Sequence, residues 1–384
     1  MNGKGKKQEM KDKIEEYILR LVERSTPEKT AWNLEKNREG KPVTWNYIDG
    51  CMLTALLTLT ELTGDERYAA FAESVTDHFV RENGDILSFE PEKRQLDDYN
   101  EGKVLFPVYK RTGKEKYRKA AEMLHQTLKS HPRTKEGSFW HKKIYPDQVW
   151  LDGIYMAQPF EAMYQQTFGD SDVSDILRQV RTVKQHMRDP KTGLYFHGYD
   201  ASRTAFWADP ESGLSKSIWL RALGWFFMAL ADLYELLPDG PERTETAEIF
   251  HDLAKSIAYY ADPETGLYWQ VVDQGGKEGN YLESSGSSMI AYGMLKGVRM
   301  GLLEGEYGAL GRKTFGTLTD RLVWKDGEPE LGGICLVAGL GPENNRRRDG
   351  SFEYYISEPV VANDAKGVAP FILCYTEIRR SKQN

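Results

Sequence analysis

The chain has 384 residues, of which 40% are hydrophobic, 12% aromatic and 28% charged. That is a globular composition, long enough to bury a core that needs no staples. A formal net charge of −7 with both signs interspersed excludes a general nucleic-acid binder, and three distant cysteines with no CxxC pair exclude a disulfide framework and a cysteine zinc motif.

The first residues, MNGKGKKQEMKDK, are polar and basic with no apolar stretch behind them. Residues 1–25 are therefore expected to form a polar helical lead-in without a secretory signal, within a single domain over 1–384. WNYIDGCMLTALLTLTEL, from Trp45, is the first segment apolar on nearly every side, as a buried helix is. LTGDERY (62–68) stops it at Thr-Gly, and an amphipathic helix follows over 68–81. The arrangement returns 49 residues on, with DDYNEGKVLFPVYKR from Asp97, RTGKEKY (111–117) and an amphipathic stretch over 117–130.

WLDGIYMAQPFEAMYQQTF, from Trp150, is followed by a degraded turn, FGDSDVSD (168–175), and an amphipathic stretch over 173–187. WLRALGWFFMALADLYELL, from Trp219, contains the longest apolar run, Ala222 to Ala231, which is too short to cross a bilayer. Behind it Ile249, Leu253, Ile257 and Tyr260 keep helical spacing over 244–260. LESSGSSMIAYGMLKGVRM, from Leu282, and NDAKGVAPFILCYTEI, from Asn363, complete six buried segments. Residues 301–362, rich in Gly and Pro, are expected as a loop-rich insertion with a short hairpin. The run Arg346-Arg347-Arg348 is expected as a solvated loop.

Buried and amphipathic helices thus alternate. The pattern predicts an all-α fold, an (α/α)6 barrel of six hairpins with the buried helices inside and short β pieces in the rim loops. No regular alternation of strands and helices supports a doubly wound sheet or a (β/α)8 barrel. GGICLVAGLG (332–341) lacks Walker spacing and does not read as a phosphate loop. DPKTGLYFHGYD (189–200) is echoed by DPETGLYWQVVD (262–273). Each joins an outer helix to the next inner one, so His197 and Gln270 are offered to one rim.

If the inner helices share a direction, their first turns surround one opening. Trp45, Asn46, Tyr47, Asp97, Asp98, Trp150, Asp152, Trp219, Arg221, Glu283, Ser284, Ser285, Asn363 and Asp364 would stand there. Rings that stack on sugar faces, mixed with charged hydrogen-bond partners, suit a carbohydrate. Plainer readings stand beside this one: the aspartates could cap helices at about 1 kcal/mol each, Arg221 could form a structural ion pair with a neighbouring inner helix, His197 could be a turn residue, and Trp219 and Trp225 could be core. With no HExxH and seven scattered histidines, no metal is expected, and without GxSxG no serine nucleophile.

WLDGIYMAQPF, the LYFHGYD rim, WLRALGWFFMAL and KGVAPFILCYTEI together resemble the unsaturated rhamnogalacturonyl hydrolases, (α/α)6-barrel glycosidases related to unsaturated glucuronyl hydrolases. The resemblance runs in order from Thr30 to Ile378. It implies hydration of the C4=C5 double bond of a terminal unsaturated uronic acid, with no cofactor. Asp152 would give a proton to C4 and take one from the water that adds at C5, with Asp97 (or its neighbour Asp98) as second carboxylate. His197, Arg221, Trp219, Tyr47 and Lys142 (or Lys143) would bind substrate. The expected substrate is an unsaturated galacturonyl-rhamnose disaccharide, handled in a cytoplasmic compartment without nucleic-acid or membrane partners; the glucuronyl-rhamnose counterpart is the close alternative. A sugar 2-epimerase would need paired histidines where His197 stands alone. A non-catalytic glycan-binding toroid is the third class.

Overall fold

The computed structural model describes residues 3–169 and 172–381, so the degraded turn at 168–175 lies partly outside the described residues. Helix α1 (Gly3–Glu23) and the short α2 (Leu34–Glu39) precede the first inner helix, α3 (Tyr47–Thr63). Asn46 caps α3 by accepting from the Ile48 N–H, and Gly64 ends it at φ 70°, in the left-handed region where a side chain is strained. Asp65 then caps the outer helix α4 (Glu66–Phe79). The Thr-Gly-Asp turn therefore works as its composition indicated.

The second inner segment is broken into α5 (Asp97–Gly102) and α6 (Leu105–Thr112). Pro107 explains the break: it has no N–H, and its ring would crowd the carbonyl of Lys103 four residues back. The outer helix α7 (Glu115–Lys129), the inner α8 (Gly153–Thr167) and the outer α9 (Ser174–Met187) follow. Then come the inner α10 (Leu220–Leu236), outer α11 (Pro241–Tyr259), inner α12 (Ser284–Arg299), outer α13 (Gly305–Asp320), the short α14 (Phe352–Ile356) and the last inner helix, α15 (Ala365–Arg380).

The inner helices close a ring. Neighbours touch in the order α3, α5, α8, α10, α12, α15 and back to α3. Burial follows from that position: every residue of α10 from Leu220 to Ala231 is buried, whereas α9 buries only one face, through Ile176, Leu177, Val180, Val183 and Met187. Segment 1–25 is more than a lead-in. Ile14, Tyr17, Ile18 and Leu21 of α1 are buried, and Glu15 accepts from Tyr375 and Arg379 of α15 at 2.7 Å, so α1 is the outer companion of the last inner helix. Segment 301–362 likewise contains the whole of α13 beside its rim strands.

Glycines near the inner N-termini let these helices approach each other. A Cβ on Gly50 would lie 2.5 Å from the Glu101 Cα of α5, and one on Gly286 would lie 2.4 Å from Leu220 of α10. Because the obstacle at Gly50 is backbone, Gly50→Ala is expected to lower stability by about 1–3 kcal/mol by overpacking, read as a reduced urea midpoint; an unchanged midpoint would show that the ring can open there freely.

Among the described residues four two-stranded antiparallel sheets edge the rim. They are β1 (Gln148–Trp150) with β2 (Gly198–Asp200), β3 (Tyr268–Trp269) with β4 (Leu282–Glu283), β5 (Leu322–Lys325) with β6 (Glu328–Leu331), and β7 (Ile334–Cys335) with β8 (Val360–Val361). The first matters most for the site. Trp150 pairs with Gly198, and the ladder continues as the Leu151 N–H donates to the His197 carbonyl at 2.8 Å. That register brings the start of α8 against His197.

Candidate active site

The N-terminal ends of α3, α5, α8 and α10 border one cavity of about 410 Å3. Tyr47, Asp97, Asp98, Lys142, Trp150, Asp152, Trp219 and Arg221 all line it. The helix N-termini carry partial positive charge, which favours an anionic ligand in the cup. Glu283, Ser284, Ser285, Asn363 and Asp364 belong to the inner ends but do not line the cavity. The segment after β6 lies over them: the Cys335 N–H donates to Glu283 at 3.0 Å, Ser284 donates to the Gly332 carbonyl at 2.7 Å, and Asn363 accepts from the Leu331 N–H at 2.9 Å.

Asp152 precedes α8 in helical backbone geometry and makes no side-chain cap bond. The capping reading therefore fails for it, and its carboxyl is free for other work. Oδ1 is buried and 3.5 Å from Nε2 of His197, and neither atom has a hydrogen-bond partner. The side chain keeps 16% exposure, on the cavity side. Burial pushes the Asp152 carboxyl up, but the contact from His197, with His141 also close by, outweighs burial and brings it down to about 2.

His197 itself is fully buried and does not line the cavity. It stands behind Asp152, seen from the cavity. It is not alone either, for His141 stands beside it. The ring of His141 stacks on Trp150 with centroids 4.3 Å apart, and its Nε2 lies 3.7 Å from Oδ1 of Asp97. Burial lowers the His141 pKa against the pull of Asp97 and Asp152, so this imidazole is held toward its neutral form. Only His141 of the two reaches the cavity, so the paired bases of an epimerase are not assembled.

Asp97 and Asp98 divide their surroundings. Asp97 accepts an ion pair from Lys142 at 2.6 Å, while Asp98 is held by the Gln95 amide at 3.0 Å. Burial and the adjacent Asp97 push the Asp98 carboxyl up to about 7. Lys142 is the inward lysine, and Lys143 is exposed. Burial works against the Lys142 ammonium, but Asp97 outweighs it and raises its pKa above the usual value.

Among the described residues Arg221 makes no ion pair. Its guanidinium donates to the Cys335 carbonyl and Ser285 Oγ, reaches toward the Leu336 carbonyl, and lies 4.9 Å from the Trp219 ring centre. It therefore ties the rim segment after β6 to α10. Val337, Ala338 and Gly339 of that Gly-rich segment form a cavity wall. In the arginine run Arg346, over the Phe206 ring, and Arg347, paired with Glu358, are exposed as expected, whereas Arg348 faces the cavity. Trp219 and Trp225 are both buried and both border the cup.

A closed ring of helical hairpins with a carboxyl-bearing, aromatic-walled cup is the architecture of a helical-barrel enzyme. The chain belongs to Glycosyl Hydrolase Family 88, which it matches over residues 17–382, and it is accordingly a glycoside hydrolase. It is similar to Protein Atu3128 of Agrobacterium fabrum (strain C58), 42% identical over 229 residues covering 58% of this chain and 97% of that one. The unsaturated rhamnogalacturonyl hydrolase YesR of Bacillus subtilis (strain 168) is 26% identical over 259 residues, covering 65% and 70%. Among solved structures, a family 105 glycoside hydrolase of C. acetobutylicum ATCC 824 is similar with a TM-score of 0.87 and 39% identity, over 96% of this chain and 99% of the other. Among the described residues no group of acidic, His and Cys side chains could hold a metal ion, and no helix is long and apolar enough to cross a membrane.

Proposed function

We propose that this enzyme removes a terminal 4,5-unsaturated galacturonic acid from rhamnose in disaccharides left by a polysaccharide lyase. Asp152 gives a proton to C4, cationic character develops at C5 beside the ring oxygen, and water adds there. The resulting hemiketal opens and releases the rhamnose. The carboxyl that gave the proton takes one from the attacking water, so a single group serves both halves of the reaction.

The observation that carries this reading is the uncapped carboxyl of Asp152, with one oxygen toward His197 and the side chain open to a cup of disaccharide size. The low pKa of the unliganded carboxyl rests first on the contact from His197. A bound uronate brings its own negative charge, which raises the pKa and helps Asp152 hold a proton. Arg221, Tyr47, Trp219 and the Asp97–Lys142 pair are the substrate-facing partners in this reading. Three buried, unpaired cysteines fit a reducing, cytoplasmic setting.

Unsaturated galacturonyl-rhamnose should lose its enol-ether ultraviolet absorbance in the presence of the enzyme, with glucuronyl-rhamnose as the comparison substrate. In heavy-oxygen water the label is expected on C5 of the uronate product. Label on C1 would instead indicate ordinary attack at the anomeric carbon and would refute the hydration step.

A further inference from the structure

Behind Asp152 the contact chain does not stop at His197. Nδ1 of His197 is 2.6 Å from the hydroxyl of Tyr355, a residue of α14 that is 158 positions away and fully buried. The Tyr355 ring stacks on Trp219 at 5.6 Å and 14°, and its carbonyl accepts from Gln270, so its place is set on both sides.

We propose that Tyr355 is a positioning residue that fixes His197 as the Nε2–H tautomer and thereby keeps the transferable proton of Asp152 on Oδ2, the oxygen facing the cup. The inference rests on the reading of Asp152 as proton carrier. It adds a task to a residue that touches neither cavity nor substrate.

A neutral imidazole has one donor and one acceptor nitrogen, and which is which depends on its neighbours. Among the described contacts the Tyr355 hydroxyl has one hydrogen-bond partner, Nδ1 of His197. By donating there, the hydroxyl satisfies its own hydrogen and makes Nδ1 the acceptor. Nε2 then carries the hydrogen and points at Oδ1 of Asp152, 3.5 Å away. The opposite tautomer would set the Nε2 lone pair against a buried carboxylate oxygen and leave the tyrosine hydrogen without an acceptor. Both ends of the chain therefore select the same arrangement.

The two carboxyl oxygens are also unequal. Oδ1 is buried with no hydrogen-bond partner, Nε2 of His197 standing 3.5 Å from it, whereas Oδ2 is not among the buried, unpartnered atoms. With Nε2–H directed at Oδ1, that oxygen remains an acceptor in both charge states of Asp152. A proton arriving from water can settle only on Oδ2, where an alkene carbon can take it. The titratable groups around the pair are His141 and Lys142 before β1, Asp97 at the start of α5, and Cys335, Asp349 and Tyr354 on the rim behind Tyr355. None of these is altered by changing Tyr355 alone.

The decisive measurement is nitrogen-15 NMR of histidine-labelled, ligand-free enzyme, with the His197 signals identified by their loss in His197→Gln. A protonated Nε2 and an unprotonated Nδ1 are expected at neutral pH. Tyr355→Phe, which keeps the ring stack, should give Nδ1 protonated character, lower kcat about tenfold, leave KM within about twofold, and move the alkaline limb of kcat up by about half a pH unit as the carboxylate loses support. An Nδ1–H or doubly protonated His197 in the unaltered enzyme overturns the proposal, and so does a Tyr355→Phe variant with unchanged nitrogen signals and pH profile. The NMR result needs no substrate. Inactivity on both disaccharides with the expected tautomer would refute the proposed reaction and leave the tautomer assignment standing.

Discussion

Asp152→Asn is expected to lower kcat on the unsaturated disaccharide by about 10²–10⁴-fold, the range for loss of a positioned general acid, while substrate affinity stays within a few-fold. The amide has nearly the carboxyl's shape, and its oxygen can still accept from His197 at the Oδ1 position, so the cup should not rearrange. It cannot donate an acidic proton to carbon or accept one from water. Both halves of the proposed reaction fail together. The pH profile adds a signed expectation. Asp152 works protonated, its carboxyl in the empty cup lies down at about 2, and the uronate charge raises it in the complex. The alkaline limb of kcat should therefore lie at higher pH than that of kcat/KM. Turnover at the unaltered rate by Asp152→Asn, with binding intact, would remove Asp152 from the chemistry.

Asp49→Ala should cost about 3 kcal/mol of stability or more. Asp49 is fully buried in the first turn of α3 and accepts from Thr30 Oγ1 at 2.6 Å, Trp32 Nε1 at 2.8 Å and Asn33 Nδ2 at 2.6 Å. Truncation leaves three donors without their acceptor, and each unmade buried bond costs about 1–3 kcal/mol. The loss also reaches the cup, because Asn33 caps α2, which brings Glu35 to the cavity wall. Chemical unfolding should report the destabilisation, and KM should rise more than kcat falls. A change in stability below about 1 kcal/mol would mean that the loop before α2 finds other acceptors.

Residues 45–63, 150–167 and 219–236 are readable as inner helices because a central helix is apolar on every side, and a one-dimensional pattern carries that. Helix α13 hides for a matching reason. Its inward residues include Gly308, Gly311 and Thr314, small groups that let it lie close to α12 but contribute no apolar period. Helix α1 begins with a basic run that masks the spacing of Ile14, Tyr17, Ile18 and Leu21. In the cup, Asp152, Asp97, Arg221 and Trp219 stand out as polar or aromatic residues at the starts of apolar runs. His141 and Tyr355 do not. Their importance comes from partners far along the chain, His141 through the Gln95–Lys142 bridge and Tyr355 through a contact across 158 residues. Nothing local in HKK or EYY announces such a meeting.

The pairing of α1 with α15 bears on how the protein is made. Tyr17 bonds Asn363 across 346 positions, so α1 is made long before the residues that it meets near α15. Assembly of this barrel thus resembles fastening a belt more than stacking bricks: buckle and strap lie far apart in the chain, and the join waits until both are present. Until α15 has been made, Glu15 and Tyr17 of α1 lack these partners, which places closure of the ring late in folding.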